Sequence, residues 1–283
     1  MSKRPASFYV LSGVFALFVL FLYGPTLTIA ILSFQGPGGG LTFPMQGVSL
    51  HWFGKLFEQQ AVGDFGTAIL RSMVLGLTVM ACTVVISLLA GLAFRRRFAG
   101  SSAIFYLTLA SLIIPSILIS LGIGLMFDRL DLTSNWYSSG FGSHLTWTLP
   151  FGLLIMFAVF NRFNPSYEMA SNDLGASPWQ TFKYILLPLL APSLTGVGLF
   201  GFTLSYDEFA RTLMTSGSFN TLPLELFAMT TNVTTPVLYA LGTLTTLISF
   251  SVIILTIVLV RVFNNKPPSS YKKKVAHPTS KVA

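Results

Sequence analysis

Long apolar runs alternate with short polar breaks along this chain, and the breaks are too brief to build a water-facing shell. Six runs are long enough to cross a bilayer as helices: residues 8–34, 67–94, 102–127, 145–163, 189–209 and 237–263. A hydrocarbon core of about 30 Å needs about 20 residues at 1.5 Å each, and every run comes close to or exceeds that length. Gly24–Pro25 and Pro115 fall inside runs, where neighbouring helices can satisfy the carbonyls that a proline frees. The first run follows "MSKRPAS". It is too long for the core of a signal peptide and lacks a small-residue cleavage site at its end, so it is expected to remain as an anchor.

Composition agrees with this pattern. Of 283 residues, 53% are hydrophobic and only 9% are charged, against about a quarter charged in soluble domains. One cysteine, Cys82, excludes an internal disulfide. The net charge of +8 could suggest nucleic acid, but its distribution points to membrane orientation instead. With six spans and both termini in the cytoplasm, thirteen Lys and Arg residues lie inside. Only Lys55, Arg71, Arg129 and Arg211 lie outside, the bias that sets topology. Acids run the other way, with only Glu168 and Asp173 on the inner side. The tail 264–283, rich in lysine and proline, reads as disordered and close to anionic headgroups. In the outer segment 35–66, Leu50, Trp52–Phe53 and Leu56–Phe57 form a stripe suited to a helix lying in the membrane interface.

One polar insert stands apart. "YEMASNDLGASPWQTFKYILLPLLAP", from Tyr167 to Pro192, carries two acids, two amides, a glycine and a lysine between spans four and five. Pro165 and Ser166 read as an entry and an N-cap, and Gly175 as the left-handed residue that stops a helix. Ser177 and Pro178 read as the cap and first position of a second helix running to Pro188. Met169, Leu174, Trp179 and Phe182 would then be exposed apolar groups on a polar bracket, which suggests a docking surface.

These residues resemble the cytoplasmic "EAA" loop of permease subunits in bacterial ABC importers, patterned E-A-A-x3-G-x9-I-x-L-P. Gly175, nine residues, Ile185, one residue and Leu187–Pro188 match it, with Ala170 in register and "DLGAS" at Asp173–Ser177. The glutamate position holds Met169, with Glu168 one residue earlier, and the second alanine is Ser171. "FTLSYDEF" at 202–209, "TLPLELFAMT" at 221–230 and "TPVLYALGTLTTL" resemble the second permease of spermidine and putrescine importers.

The resemblance implies an all-α integral membrane protein of six transmembrane helices, with the type I ABC importer permease (MetI-like) fold and a cytoplasmic coupling helix pair between spans four and five. Three parts follow: 1–66 as N-terminal span and periplasmic interfacial segment, 67–263 as core permease domain with coupling loop 164–188, and 264–283 as tail. It implies a multi-pass protein of the bacterial inner membrane that moves a small organic cation, foremost a polyamine, from periplasm to cytoplasm by alternating access. Opines, aminophosphonates, amino-acid derivatives, ferric ion or thiamine are alternative cargo. Implied partners are a cytoplasmic ATPase dimer, a second homologous permease as heterodimer, a periplasmic substrate-binding protein and lipid, with no nucleic acid. The first loop helix is expected to sit in a cleft of the ATPase and move as a rigid body when two ATPases close.

Coupling is expected to involve Glu168, Met169, Ala170, Asp173, Leu174, Gly175, Ala176, Ile185, Leu187 and Pro188. Tyr206, Asp207 and Glu208 are expected on the substrate path, where outer carboxylates would attract a cation. No G-x-x-x-x-G-K-[ST] is present, so ATP and Mg belong to the partner and this chain binds no cofactor. His51, His144 and His277 show no metal spacing, and no nucleophile and base converge, so no catalytic or metal residue is expected. A secondary transporter would place ionisable groups in mid-span, and these spans hold almost none. A channel would leave the docking bracket unexplained.

Overall fold

Apolar runs that cannot hydrogen-bond to lipid must satisfy their backbones internally, and helices do this. The computed structural model describes residues 5–56, 58, 65–96, 98–232 and 235–264, and among them it is helical with one isolated β-bridge, Gln35 to Val48. Five helical stretches are long and apolar enough to cross a membrane: Ala6–Leu32, Phe65–Phe94, Trp136–Asn161, Pro178–Tyr206 and Val237–Val258. The expected third span, 102–127, is instead broken into α4 (Ser101–Ala110) and α5 (Ser116–Arg129). Pro115 is the cause: it caps α5 with an extended backbone and cannot continue α4.

Three helices form the centre. α3 (Phe65–Phe94), α6 (Phe141–Asn161) and α9 (Leu187–Tyr206) pack against one another more extensively than any other elements. Close approach depends on small residues, as membrane helix packing generally does. A Cβ on Gly152 of α6 would collide with Ser87 of α3, and one on Gly76 of α3 would crowd the Phe202 ring of α9 at 3.1 Å. At this seam Thr83 and Thr148 share a buried hydrogen bond of 2.7 Å. α1 (Ala6–Leu32) lies outside the triangle against α11 (Val237–Asn264), with Phe15, Leu17 and Phe21 bare, as expected of a lipid-facing anchor.

The bundle has two ends. Leu56, Phe65, Tyr206, Leu222 and Val237 cluster at one of them. Arg95, Asn161 and Pro165 gather at the other. α4 starts beside this second group, and the segment after α5 lies at the first, where Ser139 bonds to Thr215.

The stripe at 50–57 is taken up in part by the protein itself: in α2 (His51–Lys55) and just beyond it, half-buried Trp52 and Phe53 and buried Leu56 pack onto the core cluster, with Leu56 only 3% exposed. Apolar area gains as much from the protein's own core as from lipid, and here α11 is within reach. Leu50 alone stays exposed, while Phe57 and the tail 265–283 lie outside the described residues.

Candidate functional site

The bracket forms largely as its caps dictate. α7 (Ser166–Asp173) ends at Gly175, whose φ of +78° is the left-handed conformation that a glycine adopts without penalty. Its amide donates to Asn172 C=O at 2.8 Å, and the amide of Ala176 to Ser171 C=O at 3.1 Å. α8 (Pro178–Thr181) opens with a reciprocal capping box: Ser177 Oγ accepts from Gln180 N–H, and Gln180 Oε1 accepts from Ser177 N–H at 2.7 Å. Ser171 and Thr181 share a buried hydrogen bond of 2.7 Å that clips α7 to α8. The serine that replaces the motif's second alanine is therefore a clasp.

Two details differ from expectation. Ser166 is the first helical residue rather than the N-cap; Asn164 takes that duty, its Oδ1 accepting the Ser166 amide at 3.0 Å. An Asx turn ahead of Pro165 reaches this amide, which a serine within the first turn cannot. The second helix does not stop at Pro188. It passes through a π-turn, Phe182–Leu186, into α9, making one helix from Pro178 to Tyr206. The wider turn bonds the Leu187 amide to Phe182 C=O, five residues back, and opens room for the Pro188 ring that an α-turn would deny.

Glu168 answers the question raised by Met169. Arg95, just past the end of α3, clamps it with two parallel bonds, Nη1 to Oε1 at 2.6 Å and Nη2 to Oε2 at 2.9 Å. The same guanidinium lies over Phe160 and Phe163 at 5.3 and 5.4 Å from their centroids. Bidentate geometry fixes direction as well as distance. The bracket is thus bolted to the central triangle, and Phe182, expected to be exposed, is half-buried against the core cluster of Leu186 and Leu190, while three apolar residues stay open to the outside. Leu174 is 88% exposed, Trp179 67% and Met169 57%. Ala170 and Asp173 are exposed as well, Ala176 and Ile185 are half-buried beside a shallow groove, and Leu187 and Pro188 sit where the π-turn joins α9.

At the far end of α9 the two adjacent acids part company. Tyr206 and Asp207 line a cavity of about 240 Å³ between α9, α10 (Leu222–Asn232) and α11, together with Leu226, Thr246 and Phe250. The Tyr206 hydroxyl is buried with no partner among the described residues. Asp207 rims the cavity, and partial burial pushes its carboxyl pKa above the usual range. Glu208 is not in the lining: its Oε1 accepts the Arg211 backbone amide at 2.9 Å and caps the following turn.

Arg211, counted as an outer residue, is fully buried. Its guanidinium donates to Thr146, reaches Ser111 C=O at 3.5 Å, and stacks over Trp147 at 4.9 Å. His144 stands beside it between two hydroxyls, Ser205 at 2.8 Å and Thr212 at 2.9 Å. Thr212 Oγ1 already donates to Glu208 C=O at 2.6 Å, so it accepts from His144 Nε2–H, and Nδ1 accepts from Ser205. These contacts pin the segment after α9 to α6 and to the break between α4 and α5. Scattered as they are in the chain, Arg211, His144 and Ser111 gave no spacing signal; a basic residue one turn past two acids in a Ser/Thr-rich stretch was the only hint.

Five apolar helical stretches with an exposed apolar bracket at one end define a polytopic membrane protein. The chain belongs to the family described as "Binding-protein-dependent transport system inner membrane component", whose model matches residues 83–266. It is an ABC importer permease. Among its relatives is the spermidine/putrescine transport system permease protein PotC homolog of Mycoplasma genitalium, 29% identical over 77% of this chain and 79% of that protein. PotC of Haemophilus influenzae is 28% identical over 87% of this chain and 94% of that protein. In fold, the chain resembles a bacterial ABC transporter involved in the import of the acidic polysaccharide alginate, with a TM-score of 0.62 at 16% identity, covering 94% of this chain and all of that one.

Proposed function

We propose that this permease imports a small organic cation, foremost a polyamine, from periplasm to cytoplasm by alternating access. α4 and α5 together are the sixth crossing: the chain leaves α3 at the bracket end and must return to the other end before α6 begins. Both termini then lie at the bracket end, which is the cytoplasmic one. Leu174, Met169 and Trp179 dock on the partner ATPase, with Glu168, Ala170, Asp173, Gly175, Ala176, Ile185, Leu187 and Pro188 shaping the contact. ATP and Mg are held by that partner; a second permease completes the path and a binding protein delivers cargo.

The observation that carries the reading is one continuous helix, Pro178–Tyr206, with an exposed apolar docking face at its start and a carboxylate-rimmed cavity at its end. The names of the relatives support the choice of cargo. Within the pair of acids, Asp207 meets the cation while Glu208 holds the turn.

The test is uptake of labelled spermidine by proteoliposomes holding the assembled transporter and its binding protein, with ATP hydrolysis followed in parallel. Asp207→Asn should lower uptake roughly 10- to 100-fold, since a charge-assisted hydrogen bond contributes about 1.5–3 kcal/mol. Glu208→Gln keeps an acceptor for the Arg211 amide and should change uptake little. Acidification should reduce wild-type uptake at a pH above the ordinary aspartate range, because a raised pKa neutralises Asp207 early, and Asp207→Asn should abolish that dependence. Equal losses in the two variants, or unchanged uptake in Asp207→Asn, would refute the assignment.

A further inference from the structure

A second, larger cavity lies at the bracket end, unconnected with the cargo cavity. It has a volume of about 640 Å³ and opens between α3, α4 and α6. One side of it is aromatic, from Phe105, Tyr106 and Phe157. Its mouth is polar, from Arg95, Ser102 and Asn161. Arg96 and Arg162, both exposed, flank that mouth in sequence. Tyr106 is 69% exposed, so the aromatic wall faces outward rather than into the central triangle.

A pocket with this gradient fits an amphipathic anion. The apolar side, about one helical turn from the mouth along α4 and α6, would take the upper part of an acyl chain. The mouth combines guanidinium charge with hydroxyl and amide donors, the chemistry that holds a phosphate. Basic pockets between membrane helices at the cytoplasmic face bind anionic headgroups for these reasons. A polyamine is a poor occupant, since the basic mouth would repel it. We infer that the α3–α4–α6 groove is a binding site for an anionic phospholipid, its phosphate at the Arg95–Ser102–Asn161 mouth and its chain along Phe105, Tyr106 and Phe157.

The position gives the lipid a consequence. Arg95 is the bolt that holds Glu168, so a phosphate at the mouth shares the guanidinium that fixes the bracket. Occupancy would therefore be felt in the coupling loop.

The experiment is native mass spectrometry of the assembled, delipidated transporter, titrated with phosphatidylglycerol or with phosphatidylcholine of the same chains. Wild type should bind the anionic lipid at least fivefold more tightly. Ser102→Trp, which fills the mouth, should remove that preference, and so should the double variant Arg96→Gln/Arg162→Gln, which leaves the groove open but lowers its charge. Each variant is first checked for intact subunit assembly in the same spectra. Inorganic phosphate in excess should leave lipid binding intact; if it competes fully, the site is a plain anion site and the lipid reading falls. Equal affinity for the two lipids, or a preference that survives both variants, would also overturn it.

Discussion

The two ends of this permease are built on opposite plans. At the bracket end, contacts are short in sequence: Ser177 with Gln180, Ser171 with Thr181, Gly175 closing the helix just before it. The main tie to the core is the Arg95–Glu168 clamp, about a quarter exposed on both sides. At the Tyr206 end the segment after α9 is held by distant groups, Arg211 by Thr146 and Trp147, Ala210 C=O by Ser120, and Thr215 C=O by Ser139, almost all out of solvent. A part made of local bonds can shift as one piece with few losses. A part woven through the core cannot move without unmaking it.

Substitutions should expose this contrast, beginning with the largest effect. Arg211→Ala leaves a void under Trp147 and removes the donor to Thr146, whose hydroxyl keeps only its bond to Ser143 C=O, and by analogy with other large buried truncations it should cost about 3 kcal/mol or more. A drop of several degrees in the thermal midpoint of the detergent-purified protein would record it. Arg211→Met, which refills the space, should recover part of the loss; no recovery would mean the hydrogen bonds rather than the packing hold this end.

Ser171→Ala comes next. It restores the motif's alanine and leaves Thr181 without its buried partner, at about 1 kcal/mol. Hydrogen exchange in α7 and α8 should quicken, while the global midpoint stays put; a fall in the midpoint would show that the bracket is not independent of the core. The smallest effect is expected from one of two variants at Gly175. A Cβ there meets nothing within 4 Å, so the whole cost is torsional. Gly175→Ala should cost about 1 kcal/mol and Gly175→Asn only a fraction of that, because asparagine tolerates the left-handed region. Equal exchange rates in the two variants would argue against the φ explanation.

The same contrast explains what could be read before the structure. Gly175, Ser177 and Pro178 were legible because a cap is decided by neighbours three or four residues away. The spans were legible because lipid imposes one rule on every residue. Arg211 was not, since its partners lie 64 to 100 positions upstream and a basic residue near a span end reads as exposed by default. The break in the third span was hidden for a related reason: Pro115 announces a kink, but only packing decides whether the helix bends or stops. Glu168 shows a third case: it stands one residue before the motif's glutamate position, and its partner Arg95 lies 73 positions upstream.

The unbroken helix from Pro178 to Tyr206 has a mechanical consequence. Twenty-nine residues at 1.5 Å each make a shaft about 43 Å long, with Trp179 at one tip and Asp207 just beyond the other. A tilt of about 10° about either tip would carry the opposite one by about 7 Å, more than a helical turn. The π-turn at Phe182–Leu186 sits near the Trp179 tip, where a looser hydrogen-bond pattern can absorb torque without shortening the shaft. Under the proposed coupling, a small rotation imposed at the Trp179 tip would reach the other tip as a displacement of several ångströms, and the pinned segment after Tyr206 would set its limit.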